Sequence, residues 1–190
     1  MFPMAQVVSP SLQHQPRQDV EMLSRLIEDE GITAVVGSSL GGFYALALAC
    51  RHDLRVCLIN PSLFPFQSLV GTVGTVQNQV TGEGFKWTQE SVEALRNIYS
   101  SDLGQYRFER NEIDWEGSLL LLALDDTRLD HRVALEVLSN MPCVVVSSGG
   151  HRMEGFSRFR GALAKLFDIP VNGHSPRGRY VSPSVLRDNA

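Results

Sequence analysis

A chain of 190 residues, 43% hydrophobic and 20% charged, has the make-up of one soluble globular unit able to bury roughly 70% of its extended surface. Its formal net charge of −4 argues against general attraction to nucleic acid or acidic membranes. Three cysteines, Cys50, Cys57 and Cys143, lie in apolar surroundings without C-x-x-C spacing, which favours core packing in a reducing, cytoplasmic compartment over metal or disulfide chemistry.

The opening "MFPMAQVVSPSLQHQ" lacks the charged-then-apolar order of a signal peptide, and no apolar run approaches the roughly 20 residues of a membrane span. "AQVVS" (5–9) is predicted as a short strand closed by Pro10. In "QDVEMLSRLIEDE" (18–30), Val20, Met22, Leu23, Leu26 and Ile27 recur at helical spacing, and Gly31 is the stop signal. "ITAVVG" (32–37) reads as a buried strand, followed by a helix from about Leu40 to Arg51 and a strand "RVCLIN" (55–60) ended by Asn60-Pro61. Residues 62–87, with repeated Thr-Gly steps and scattered aromatics, read as a loop or lid.

"TQESVEALRNIYS" (88–100) is a predicted helix capped by Thr88, and "SLLLLALD" (118–125) a strongly apolar strand. A helix "LDHRVALEVLSN" (129–140), a strand "CVVVSS" (143–148) and a last helix (152–167) follow. Residues 1–168 are expected to form a single domain, and 169–190 a disordered polar tail. Strands that are apolar on both faces and alternate with helices predict an α/β fold: a mostly parallel sheet covered by helices on both faces. Reactive groups in such sheets gather at the carboxyl ends of strands. Three stretches lie there: Ser38-Ser39, Asp125-Asp126 and Gly149-Gly150-His151.

Gly37-Ser38-Ser39-Leu40-Gly41 fits G-x-S-x-G, the strand–turn–helix bend that lifts a serine out of the backbone. Centring on Ser39 puts glycine at the two positions expected to be crowded, whereas centring on Ser38 would put Val36 and Leu40 there. A helix beginning just after Ser39 would offer the Leu40 N–H to an oxyanion. A tight turn with incidental serines is the bland alternative. A phosphate loop is a weaker one, since no Lys-Ser/Thr follows the glycines. A serine hydroxyl needs a base and the base an orienting acid, in the chain order Ser, acid, His for this fold class. His151, after two glycines at a strand end, is the candidate base; His14, His52, His131 and His174 are less well placed. Asp126 is preferred as the acid, with Asp125 as rival and Asp130 as a helix cap.

Four stretches in this order, "VVGSSLGGFYALALA", "INPSLFPF", "DDTRLDHRVA" and "GGHRMEGF", resemble the small YqiA-type esterases and the related YcfP proteins of the α/β-hydrolase superfamily. The resemblance covers about residues 6–168. It implies hydrolysis of small or short-chain carboxylesters without a cofactor or metal, with Ser39 as nucleophile, Asp126 as acid and His151 as base. Phe64 and Phe66 would then line an acyl pocket together with Phe85, unless these rings simply pack in the core.

Three departures stand beside the resemblance. Asp125 replaces a usual glycine, and the histidine loop is one residue shorter than G-G-x-H, which would shift the His151 ring. Relatives also begin with a strand and a His-Gly-Phe loop that supplies a second oxyanion donor, the strand lying between those matching "AQVV" and "ITAVV". The chain thus reads as N-terminally shortened: either its true start lies upstream or it is a short form weakened as a catalyst. A non-catalytic hydrolase-like binding protein, and a thioesterase or acyltransferase with the same three residues, are the competing functions.

Overall fold

The computed structural model describes residues 6–77, 82–104 and 115–169. Helix α1, Pro16–Glu30, opens on a proline whose missing N–H is no loss in the first turn, and closes at Gly31 with φ +60. Asp19, 1% exposed, turns back to accept the Gln13 and Gln15 N–H groups at 2.7 and 3.0 Å. Strand β1, Ala34–Ser39, passes directly into α2, Leu40–His52, and β2 follows at Arg55–Pro61. At their outer side α1 and α2 are clipped together by Ser24 Oγ and His52 Nε2, 2.5 Å apart.

Between β2 and the next core helix lie a short helix α3, Pro65–Ser68, and an antiparallel hairpin of β3, Gly74–Gln77, and β4, Gly84–Trp87. Helix α4, Gln89–Ile98, is capped by Thr88, whose hydroxyl accepts the Ser91 N–H while the Ser91 hydroxyl faces the Thr88 N–H. Strand β5, Ser118–Ala123, leads through a loop to α5, His131–Val137. Strand β6, Cys143–Val146, then precedes a 3₁₀ turn at Phe156–Phe159 and helix α6, Arg160–Leu166.

The main sheet runs β1-β2-β5-β6, every pair parallel. Alternation along the strands divides the core in two. Val56, Leu58, Leu120 and Leu122 face the larger half, against residues of α1, α2, α4 and α5. Cys57, Ile59, Leu119, Leu121 and Ala123 face the smaller, against Phe159, Leu163 and Leu166. Helices therefore cover both faces of a parallel sheet, as the sequence pattern predicts.

Several local expectations are corrected. Residues 6–9 of "AQVVS" form no strand, and Val7 is 80% exposed; among the described residues they pair with no strand, and Pro10 can donate no ladder bond. The segment 62–87, read as a loop or lid, holds a short helix, a 3₁₀ turn and a two-stranded hairpin. The last helix starts late because Met153 and Gly155, at φ +53 and +72, break it into turns. Of the polar tail expected over 169–190, residues 170–190 lie outside the described residues.

Candidate active site

Ser39 stands at the junction of β1 and α2 with φ +54 and ψ −123, a conformation that L-residues rarely adopt. The bend is tight at Gly37, where an added Cβ would lie 2.1 Å from the Gly41 oxygen and 2.7 Å from Ala45 Cβ. The second crowded glycine is Gly42, not Gly41 as the motif rule expects. A Cβ on Gly42 would come within 2.8 Å of Pro61 Cβ, while one on Gly41 meets nothing within 4 Å. The helix turns the Gly41 α-carbon outward and presses the next residue against β2. Leu40 opens α2, so its N–H is one of the first-turn donors without an intrahelical acceptor.

The loop after β6 brings His151 to this bend from far downstream. Its Nε2 is 3.0 Å from Ser39 Oγ, and its Nδ1 is 2.8 Å from Asp126 Oδ2. The His151 side chain is 17% exposed and that of Asp126 only 1%. Burial pushes the Asp126 carboxyl up, but the His151 ring and N–H bonds from Arg128 and Leu129 outweigh it and hold it below the ordinary carboxylate range. An ionised Asp126 can only accept, so a neutral imidazole there carries its proton on Nδ1. Nε2 is left with a lone pair for the serine hydroxyl.

Asp125 and Asp126 are neighbours with separate tasks. Asp125 turns its carboxylate to the Gly149 and Gly150 N–H groups, accepting at 3.2 and 2.7 Å, and so grips the loop that carries the histidine. Asp130 caps α5 by accepting the Arg132 N–H, and its Arg132 partner lowers its pKa to about 2. The shorter histidine loop does not keep the His151 ring from Ser39; Gly149 and Gly150, at φ +153 and +56, make the turn. His14 stacks on Phe85 with ring centroids 3.7 Å apart, His131 is the first residue of α5, and His174 lies outside the described residues. Phe66, 8% exposed, packs edge-on to Phe64 and against Tyr99, with the Arg96 guanidinium 5.6 Å above it; Phe64 is half-buried.

One residue here, noted in the sequence only as a strand terminator and as part of "INPSLFPF", was assigned no role there. Asn60, 2% exposed and at φ +40, donates from Nδ2 to the carbonyls of Gly150 and His151 at 3.0 and 3.1 Å. Its Oδ1 accepts the Ala123 N–H at 3.0 Å. An asparagine just before a proline at a strand end was the available signal. Among the described residues no three His, Cys, Asp or Glu side chains gather as a metal-binding group, and no helix is long and apolar enough to cross a membrane.

Residues 2–168 match the model of the Uncharacterised protein family (UPF0227). Among solved structures, the chain is similar to a protein from Agrobacterium vitis S4 assigned to the hydrolases (TM-score 0.62, 18% identity, 87% of this chain and 73% of that one). Est1E from Butyrivibrio proteoclasticus aligns at TM-score 0.57 and 11% identity over 82% of this chain and 70% of its own. The esterase domain of a Rhodothermus marinus protein aligns at 0.53 and 20% over 78% and 68%. At such identities the likeness speaks for the fold. With the family model covering nearly the whole described chain, this protein belongs to the UPF0227 family, the group of YqiA- and YcfP-type proteins, and has an α/β-hydrolase fold.

Proposed function

We propose that this chain is a serine-dependent carboxylester hydrolase for small or short-chain acyl esters, acting through an acyl-enzyme without a cofactor. The observation that carries the reading is the hydrogen-bonded series Ser39 Oγ, His151, Asp126, at 3.0 and 2.8 Å. In the proposed cycle Ser39 Oγ attacks the ester carbonyl carbon while His151 Nε2 takes its proton. Asp126 holds the ring and stabilises the imidazolium, and the Leu40 N–H faces the oxyanion. Collapse of the tetrahedral adduct breaks the acyl–oxygen bond, and His151 returns the proton to the departing alcohol. Water then repeats the sequence on the acyl-enzyme and releases the acid. The word esterase in the name of one fold relative, the Rhodothermus marinus domain, agrees with this reading. A cytoplasmic setting belongs to it as well, supported by Cys57 and Cys143, which are buried in the core as free thiols.

The test compares the wild type with Ser39→Ala for p-nitrophenyl acetate hydrolysis and fluorophosphonate labelling. Activity and labelling confined to the wild type are expected; equal labelling of both would reject Ser39. One observation favours a non-catalytic, hydrolase-like binding protein instead. Among the described residues no strand flanks the outer edge of β1, the side on which the family's His-Gly-Phe loop would bring its second oxyanion donor. A folded, monodisperse protein inert to fluorophosphonate would decide for that reading. Substrate profiling separates a thioesterase or acyltransferase.

A further inference from the structure

We infer that Asn60 is a positioning residue that sets the His151 ring against Ser39 and Asp126; this rests on the esterase reading above. The backbone shows how the side chain is aimed. In the β1–β2 pairing Ser38 is opposite Ile59 and Ser39 opposite Pro61, so Asn60 is an extra residue in β2, a bulge beside the nucleophile. Such bulges redirect a side chain out of the strand's alternation. Here the alternation of Val56, Cys57, Leu58 and Ile59 between the two cores ends, and Asn60 reaches across to β5 and the loop after β6. Asparagine tolerates the left-handed φ of +40 better than most side chains.

The contacts link all three reactive loops. Asn60 Nδ2 holds the carbonyls of Gly150 and of His151 itself. Asn60 Oδ1 holds the Ala123 N–H, and the Ala123 carbonyl in turn accepts the Asp126 N–H at 3.2 Å. Two residues on, the Ser62 N–H donates to the Ser39 carbonyl at 3.0 Å. Only a planar amide supplies two donors and an acceptor at this spot: aspartate would offer acceptors alone to two carbonyl oxygens, and a leucine nothing. At 2% exposure, water cannot easily replace these bonds. Asp125 grips the same loop by its N–H groups, but from the solvent side. The buried grip on the carbonyls belongs to Asn60.

The experiment uses Asn60→Asp, nearly isosteric but without donors, and Asn60→Gly, which suits the left-handed φ and removes the side chain. Three quantities are followed: the thermal midpoint, kcat and KM on p-nitrophenyl acetate together with the fluorophosphonate labelling rate, and the low-field proton NMR signal of His151 Nδ1–H hydrogen-bonded to Asp126. A misplaced base predicts variants that still melt cooperatively, with kcat and labelling rate down about 10²-fold and KM within about threefold. The low-field signal is lost or broadened. Folded variants that keep both the rate and the signal of the wild type would overturn the inference. So would loss of folding in both variants, which would make Asn60 a residue of the core alone. A wild type that never labels would instead reject the esterase reading, and the NMR signal would still decide the role of Asn60.

Discussion

β5 and β1 are parallel strands of one sheet, both six residues long, yet they are built to opposite ends. Every residue of β5 is buried and both of its edges are paired. It holds the sheet together and touches the chemistry only past its last residue, through Asp125 and Asp126. β1 pairs on one side only among the described residues, its burial is broken, and Val36 is 51% exposed. Its value lies in its last residue, Ser39. On the proposed function, burial and reactivity are thus divided: the central strand carries cohesion, and the rim strand presents the hydroxyl that substrate would have to reach. A change in one should move stability and spare the chemistry, and a change in the other should do the reverse.

The sharpest break of this contrast is Ser39→Ala. It should lower kcat on p-nitrophenyl acetate about 10⁴–10⁶-fold, roughly 5–8 kcal/mol of transition-state stabilisation, with an unchanged thermal midpoint. Asp126→Asn follows, with kcat down about 10⁴-fold through the wrong imidazole tautomer. This variant also carries a pH signature. Because the folded-state carboxyl of Asp126 is held below its unfolded value, its contribution to stability is present above about pH 3.9 and lost as pH falls through the folded value. The stability gap between wild type and Asp126→Asn, measured by urea unfolding, should therefore narrow between neutral pH and about pH 3. Leu121→Ala, at a fully buried site in β5, should cost about 2–5 kcal/mol of unfolding free energy and leave kcat per folded molecule intact. Its counterpart on the rim, Val36→Thr, should stay within about 0.5 kcal/mol. Last comes a pair within the bend. Gly37→Ala, forced against the Gly41 carbonyl, should destabilise by about 1–3 kcal/mol or more. Gly41→Ala, facing open space inside a helix, should be neutral or stabilise by up to about 1 kcal/mol in the same urea titration.

The strands and helices of the main sheet could be read from the chain because their signals are local: apolar runs, a proline at a helix start, Gly31 at a helix end, Thr88 as a cap. The bend at Ser39 could also be read, since glycine spacing reports its crowding, although the rule named Gly41 where the structure has Gly42. What stayed hidden depends on partners distant in sequence. "AQVVS" has the composition of a strand, but composition cannot tell whether an edge is there to receive it. The hairpin β3–β4 is only four residues on each side, too short for its alternation to stand out among Thr-Gly steps. Asp126 was preferred over Asp125 in the sequence, but only the course of the loop decides which carboxylate meets the ring and which meets the Gly149 and Gly150 amides. The role of Asn60 was missed for the same reason: a bulge shows only once the strands are paired.

The positive φ at Ser39 has a consequence for the molecule's reserve of stability. A side chain at φ +54 and ψ −123 costs on the order of 1–3 kcal/mol that a glycine there would not incur. Ser39→Gly should then melt above the parent protein while doing no chemistry, and the alanine substitution should not share that gain. For the fold alone glycine would serve better at this bend; with serine there the chain is less robust than its own backbone permits.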